Sequence, residues 1–365
     1  MKIAAFVQER GACTSYRIGQ PAKKIGTLDL ADVYCIGPGD HKTQEAVQTS
    51  DAVWIGRQMG EKSLRTVRDF KDLGKKIVFD MDDSFLHLSP FSPHYRQFGL
   101  MPVVFDDLAG IKFNGWTDGV DGFDVKHNRE MRRYFLKILR EVDCVTVTTP
   151  PLQQLYSRFN DNVHIVPNAI DFDVWRWNGV RHASGKVRVV YPAGSNHQED
   201  WLFIRSVLSK AQKSVPDWTL VLIGVDWPGQ WGDLDRSRIE TVPWTDIEAY
   251  PLAMALACGD IGIAPISEIE FNDCRSSIKW AEYAAYGTAC IATDYGPYKR
   301  DCINGSDALL VRTQDQWHDA LCELIQNETL RRRIAANAKT RVKTEFNLDF
   351  MADRWVEVFK SVVNQ

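Results

Sequence analysis

Three carboxylates crowd the end of the apolar run KKIVFDMDDS, at Asp80, Asp82 and Asp83. Acids at the carboxyl end of a strand can hold a hard divalent cation against a diphosphate, grip hydroxyl groups, or take a proton from one. They can equally do no more than cap a strand and its turn. Far downstream, FNDCRSSIKWAEYAAYG passes from Asn272, Asp273, Arg275, Ser276 and Ser277 into helix-forming sequence that stops at Gly287. Amide hydrogens at the start of such a helix are unpaired and partly positive, which suits a diphosphate. Lys279 adds a point charge there, and Glu282, one turn on, is spaced to accept both hydroxyls of a ribose. An ordinary capped helix with a surface lysine and glutamate carries the same pattern. PAGSNHQED sets Gly194 and Ser195 in a turn where backbone can approach a phosphate, and His197 beside them is either a ligand contact or an exposed loop residue.

The elements that must position these residues read as strands alternating with helices. Apolar, β-branched pulses at 2–7, 32–37, 51–56, 75–80, 144–149 and 163–168 form one set, and pulses at 186–194, 218–224, 260–266, 289–294 and 307–311 form another. Alternation of this kind builds parallel sheets from βαβ units. The expected architecture is therefore α/β, with two Rossmann-like domains facing each other across a cleft: residues 1–170, then 186–345, joined by the polar, aperiodic stretch 170–185. The first domain carries an insertion at 84–125, rich in Pro, Gly and aromatics, which is expected to be functional. Residues 346–365 read as a closing amphipathic helix with Phe350, Trp355, Val358, Phe359 and Val362 on its apolar stripe.

Composition narrows the partners. The chain has 365 residues, 25% charged and 44% hydrophobic, with a net charge of −4, so there is no global attraction to nucleic acid or anionic lipid. Eight scattered cysteines without a CxxC pair point to reduced thiols and a cytoplasmic compartment. No stretch reads as a membrane span or a secretory leader, which leaves only peripheral membrane contact open. Locally, VKHNREMRRYFLKILREVD (125–143) places Lys126, Arg129, Arg133, Lys137 and Arg140 on one helical face, which fits a solvated surface or a polyanion. Neither first βα turn reads GxGxxG, which argues against a dehydrogenase.

The segment 271–298 resembles the donor-nucleotide segment of GT-B glycosyltransferases, in particular the large retaining family (glycosyltransferase family 4-like, glycosyl transferases group 1). VDCVTVTTPPLQQLYSRFNDNVHIVPNAID (142–171) resembles that family's last first-domain strand, its helix and the lead-in to the linker, with Pro167, Asn168, Ala169, Ile170 and Asp171 in the pattern. VVYPAGSNHQEDW (189–201) resembles the first strand and glycine turn of the second domain, and the closing helix resembles the one that crosses back. One departure stands out: of the family's two motif glutamates, Glu282 matches the second while Cys274 occupies the place of the first.

The resemblance implies a hexosyltransferase moving a sugar from a nucleoside-diphosphate sugar, such as a UDP-sugar, to a hydroxyl acceptor, with retention, no metal and no cofactor beyond the co-substrate. It places donor contacts at Gly194, Ser195, His197, Asn272, Asp273, Arg275, Ser276, Ser277, Lys279 and Glu282, and acceptor contacts at Tyr16, Arg17, Asp82 and His127. Catalytic roles fall to Asp82, Asp83, Lys279 and Glu282, with a saccharide or small molecule as acceptor. The alternative acceptor is modified DNA, hydroxymethylated at pyrimidines, with Phe113 and Trp116 stacking an extruded base. A nucleotide-sugar epimerase, or a catalytically silent sugar-nucleotide binder motivated by Cys274, are further alternatives.

Overall fold

The computed structural model describes the chain except residues 8–10, 58, 105–114, 177–181, 183, 195–196 and 225–230. Strands β1 (Lys2–Phe6), β2 (Asp32–Ile36), β3 (Ala52–Gly56), β4 (Lys76–Met81), β5 (Cys144–Val147) and β6 (Val163–Ile165) form a parallel sheet in the order β2-β1-β3-β4-β5-β6. Strands β7 (Val187–Pro192), β8 (Trp218–Ile223), β9 (Ile239–Val242), β10 (Ile261–Ala264), β11 (Ala289–Thr293) and β12 (Leu309–Val311) form a second, ordered β12-β11-β10-β7-β8-β9. The strand β9 was not among the expected pulses. It is an edge strand, IETV, whose side chains stay partly or wholly exposed, so its apolar signal is weak.

Both sheets are buried on both faces, which is why their strands read as unbroken apolar runs. In the first, Val53 and Ile55 pack into one cluster while Ala52 and Trp54 pack into the other. The second sheet divides likewise, with Val189 and Tyr191 on one side and Val190 on the other.

The closing helix Leu348–Val363 belongs to the first sheet's far face. Trp355 and Phe359 meet Trp54 at ring-centroid distances of 4.4 and 5.1 Å. Phe350, expected on this stripe, is instead 57% exposed, and Leu348, Ala352 and Val356 complete the buried face. The two crossings between sheets lie side by side: Ile170 N–H donates to Phe346 O at 2.7 Å and Leu348 N–H to Ile170 O at 2.9 Å. Lys24 ties them together, with Asp171, Asp173 and Asp349 all within 2.9 Å of its ammonium.

The described part of the insertion forms a small aromatic core of its own, in which Tyr95, Trp116 and Phe123 pack together and Trp116 Nε1–H donates to Pro90 O at 2.7 Å. Trp116 is thereby committed to internal packing and does not offer a free ring to a base. Phe113 lies outside the described residues. Among the described residues, contacts that join the insertion to the second domain include Ser89 Oγ–H to Glu199 at 3.4 Å and His87 to Glu270 at 3.5 Å.

Candidate active site

In open α/β sheets, ligands bind beyond the carboxyl ends of the strands, where the strand order reverses. The order reverses between β1 and β3 in the first sheet and between β7 and β10 in the second. Segments leaving both points line one interdomain cavity of about 420 Å³. The first domain contributes Gly11, Cys13, Tyr16, Asp82 and Asp83, and the second contributes Gly194, His197, Trp244, Arg275, Ser276, Lys279 and Glu282.

On the second-domain wall, the helix Ile278–Tyr286 begins without a side-chain cap, because Ser277 Oγ–H is turned away to Asp301 at 2.5 Å. The helix ends at Gly287, whose φ of 74° is the left-handed stop that glycine adopts without strain. Lys279 Nζ donates to Pro192 O at 2.8 Å and lies 3.3 Å from His197 Nε2, while Arg275 Nη2 lies 3.4 Å from the same nitrogen. Among the described residues, neither cation has a carboxylate in ion-pair contact. Burial, the charge of Arg275 adding to it, brings the Lys279 ammonium down to about 8. His197 Nδ1 faces Asp200 Oδ2 at 2.8 Å. Burial and the two cations push the His197 pKa well below its usual value, so the ring is neutral, with Nδ1–H donating to Asp200.

Glu282 lies at the inner end of this wall, 6% exposed. Its Oε1 accepts from Tyr16 O–H at 2.7 Å and its Oε2 from Tyr250 O–H at 3.1 Å. Burial lifts the carboxyl to about 7, against the tyrosine hydroxyls and Lys279. Trp244 is 72% exposed yet lines the cleft, its indole lying over Gly194 and Gly224. Gly224 has φ of 73°, and a Cβ there would come within 2.9 Å of the indole. Beside it, Thr245 Oγ1 is buried without a hydrogen-bond partner among the described residues.

The first-domain wall is built differently. Arg57 follows β3 in the left-handed region, at φ of 52°, an uncommon conformation for a residue with a side chain. Its guanidinium donates to Asp82 at 2.6 Å and Asp83 at 2.5 Å. Burial alone would raise the Asp82 pKa, but Arg57 holds it below the usual carboxylate range. Cys13 Sγ and single oxygens of Asp82 and Asp83 lie within 4.8 Å of one another, close enough to be metal ligands. Burial and neighbouring Asp82 keep the Cys13 thiol protonated, with a pKa well above its usual value.

Several expected site residues serve the framework instead. Asp80 and Arg17 form a buried pair at 2.7 Å, and Arg17 also donates to Val166 O and Asn168 Oδ1. Arg17 is thus a tie behind the cleft, out of reach of an acceptor, and Asp80 cannot share an ion with Asp82. Asn272 Nδ2–H₂ closes its loop onto Ser267, and Asp273 pairs with Arg300 at 2.6 Å. His127 sits exposed in the first turn of the helix Val125–Glu141, away from the cleft lining, with its N–H on Asp124 Oδ1 at 2.8 Å. Tyr16 is in the cleft, but its hydroxyl is committed to Glu282 and therefore to the opposite wall. Gly194, His197, Arg275, Ser276, Lys279, Glu282, Asp82 and Asp83 all line the cavity, while Ser195 lies outside the described residues. Cys274 is buried in the first domain's cluster, and its carbonyl accepts from Thr149 Oγ–H at 2.8 Å. It is therefore an interdomain contact rather than a ligand.

Arg57, Cys13, Tyr250 and Trp244 were not singled out from the sequence. Arg57 and Cys13 follow strands that flank the first reversal point, and that placement was the available signal. Tyr250 and Trp244 follow β9, the strand that the pattern did not show.

Residues 199–357 match the model of the family described as glycosyl transferase-like. No curated protein matches the sequence. Among solved structures, sucrose-phosphate synthase from Thermosynechococcus elongatus superposes with a TM-score of 0.65 at 13% identity, over 99% of this chain and 98% of that one. Anabaena HepE in complex with UDP-glucose gives 0.64 at 13% identity, over 99% and 100%. A glycosyltransferase from Rickettsia africae gives 0.63 at 12% identity, over 99% and 98%. Among the described residues, no helix is long and apolar enough to cross a membrane. The second half of this chain therefore carries a glycosyl transferase-like domain, and the chain as a whole has the GT-B fold of these structures.

Proposed function

We propose that this chain is a glycosyltransferase that takes its sugar from a nucleoside-diphosphate sugar bound on the second-domain wall and transfers it, with retention and without a metal, to a hydroxyl presented by the first. The observation that carries this reading is the convergence of Arg275 and Lys279, without ion-paired carboxylates among the described residues, at an uncapped helix start inside the cleft. A cavity with two uncompensated cations is built for an anion, and a diphosphate leaving group develops its charge where they point. UDP is the first nucleotide to test, because HepE is described in complexes with UDP and with UDP-glucose.

In this scheme Glu282 receives the ribose, Trp244 offers a flat face to the base, and Lys279 and Arg275 neutralise the departing diphosphate as positive charge develops at the sugar carbon. Asp82 and Asp83 hold acceptor hydroxyls as hydrogen-bond acceptors. Asp82, kept ionised by Arg57, is a weak base, so proton removal falls to the leaving phosphate oxygen. A saccharide or small molecule suits this wall better than DNA, because Trp116 is already packed and the cations on the helix Val125–Glu141 are not in the cleft. The eight free cysteines favour the cytoplasm. Calorimetric titration of UDP into wild type and Lys279→Met, with chelator present, tests the reading. Binding that survives chelator and is lost in the variant supports it, and binding that needs a divalent ion overturns it.

A further inference from the structure

Glu282 is reached from both domains at once. Tyr250, in its own domain, holds one oxygen, and Tyr16, separated from it by 266 positions in the chain, holds the other at the shorter distance of 2.7 Å. Tyr16 comes from a π-helical turn, Ser15–Gly19, a rare geometry frequent at functional sites. Its ring is buried in the second domain's apolar cluster beside Ile170 and Trp175. With Glu282 only 6% and Tyr16 only 7% exposed, a ligand hydroxyl approaching Oε1 must compete with the tyrosine already bonded there. A ribose diol that donates one hydroxyl to each oxygen uses the second lone pair of Oε2 beside Tyr250 and the position that Tyr16 holds on Oε1.

We propose that Tyr16 is a positioning residue for donor binding, holding Glu282 through its hydroxyl and surrendering it to a ribose hydroxyl when the nucleotide enters. This rests on the reading of Glu282 as the ribose acceptor. Tyr16 is the partner displaced because its backbone belongs to the opposite domain, whereas Tyr250 shares a domain with Glu282; both rings lie in the cluster around Trp175, that of Tyr250 at 5.8 Å from it. Each binding event then exchanges an interdomain hydrogen bond for one to ligand, so the contact lowers nucleotide affinity and couples occupancy to the relation between the domains.

The test is calorimetric titration of UDP and of 2′,3′-dideoxy-UDP into wild type, Tyr16→Phe and Glu282→Gln. A hydrogen bond to a charged group has a net strength near one tenfold step, so Tyr16→Phe should bind UDP about tenfold more tightly. Dideoxy-UDP, lacking the diol, should show no such gain. Should the phenylalanine variant fail to accumulate, Tyr16→Leu gives the same comparison. Unchanged or weaker UDP binding in these variants, with Glu282→Gln still weakening it, overturns the proposal alone. An equal gain for both nucleotides also overturns it, since a general loosening would then be at work. If Glu282→Gln leaves UDP affinity untouched, the ribose reading itself fails.

Discussion

On the first-domain wall, Asp82 and Asp83 are each bonded to Arg57, whereas on the facing wall, among the described residues, Arg275 and Lys279 meet neutral partners, the ring of His197, Pro192 O and Asn272 Oδ1, and no carboxylate in ion-pair contact. The first wall has largely cancelled its own charge and keeps oriented acceptor oxygens. The second keeps its positive charge available to a ligand, and the low dielectric of a buried site strengthens the pull of that charge on an anion. One wall thus suits an uncharged polyol and the other a diphosphate, although both are assembled at equivalent places on similar sheets. The difference arises in the loops: Arg57 reaches its acids from a strained turn beside the reversal point, while Arg275 lies in the extended link just before the helix Ile278–Tyr286 and Lys279 in that helix's first turn.

The contrast is broken most strongly by removing a cation from the second wall. Lys279→Met should lower kcat/KM for sugar transfer by about 10²- to 10³-fold, the usual cost of losing one preorganised stabiliser of developing charge. Arg275→Met should act in the same direction. A loss below tenfold in both would mean that the diphosphate lies elsewhere.

Substitution on the first wall should have a different signature. Asp82→Asn keeps the shape but weakens acceptance of hydroxyl protons, and should cost transfer about 10- to 100-fold while leaving UDP affinity unchanged. Steady-state kinetics with varied acceptor, set beside UDP titration, separates the two walls. If Asp82→Asn weakens UDP as much as Lys279→Met does, the division between walls is wrong.

Proton linkage sharpens the contrast further. Burial raises Glu282 to about 7 from 4.5, and Asp200 to about 7 from 3.8. Between these values the folded protein holds protons that the unfolded chain has released, so the stability of the unliganded protein should fall as pH rises from about 4 to about 7. Nucleotide binding should run the other way. A ribose diol needs ionised Glu282, so UDP affinity should climb towards pH 7, by up to about tenfold per unit, and fall again as Lys279 loses its proton around pH 8. UDP's own phosphate ionises near 6, so the test is comparative: Glu282→Gln should flatten the acid side and Lys279→Met the alkaline side. Calorimetry across pH 5 to 9 reads both.

The fold was legible because every central strand is buried on two faces, which writes itself as apolar pulses such as KKIVFD and WTLVLIG. The edge strand β9 carries no such mark, and the cleft residues that follow it, Trp244 and Tyr250, were hidden with it. Residue types at a helix start pointed to Arg275, Lys279 and Glu282, because amide chemistry makes such positions special whatever the surroundings. Type and spacing say nothing of partners, however. Arg17 and His127 have the chemistry of ligand contacts, but the first is spent on Asp80 and the second lies on an outer helix. Tyr16 reaches the cleft, yet its bond to Glu282 depends on how two domains meet, which no local pattern encodes.

The smallest expected effect concerns metal. Cys13, Asp82 and Asp83 could gather around a divalent ion, but such an ion would have to displace Arg57 from both carboxylates and take the proton from a thiol whose pKa is already raised. A half-buried guanidinium with two short contacts is a costly group to move. Manganese or chelator should therefore change UDP affinity by less than about twofold, a free-energy difference of only a few tenths of a kcal/mol. A tenfold gain with manganese that disappears in Asp82→Asn would place an ion, and with it the diphosphate, against the first wall. The two walls would then have to exchange roles.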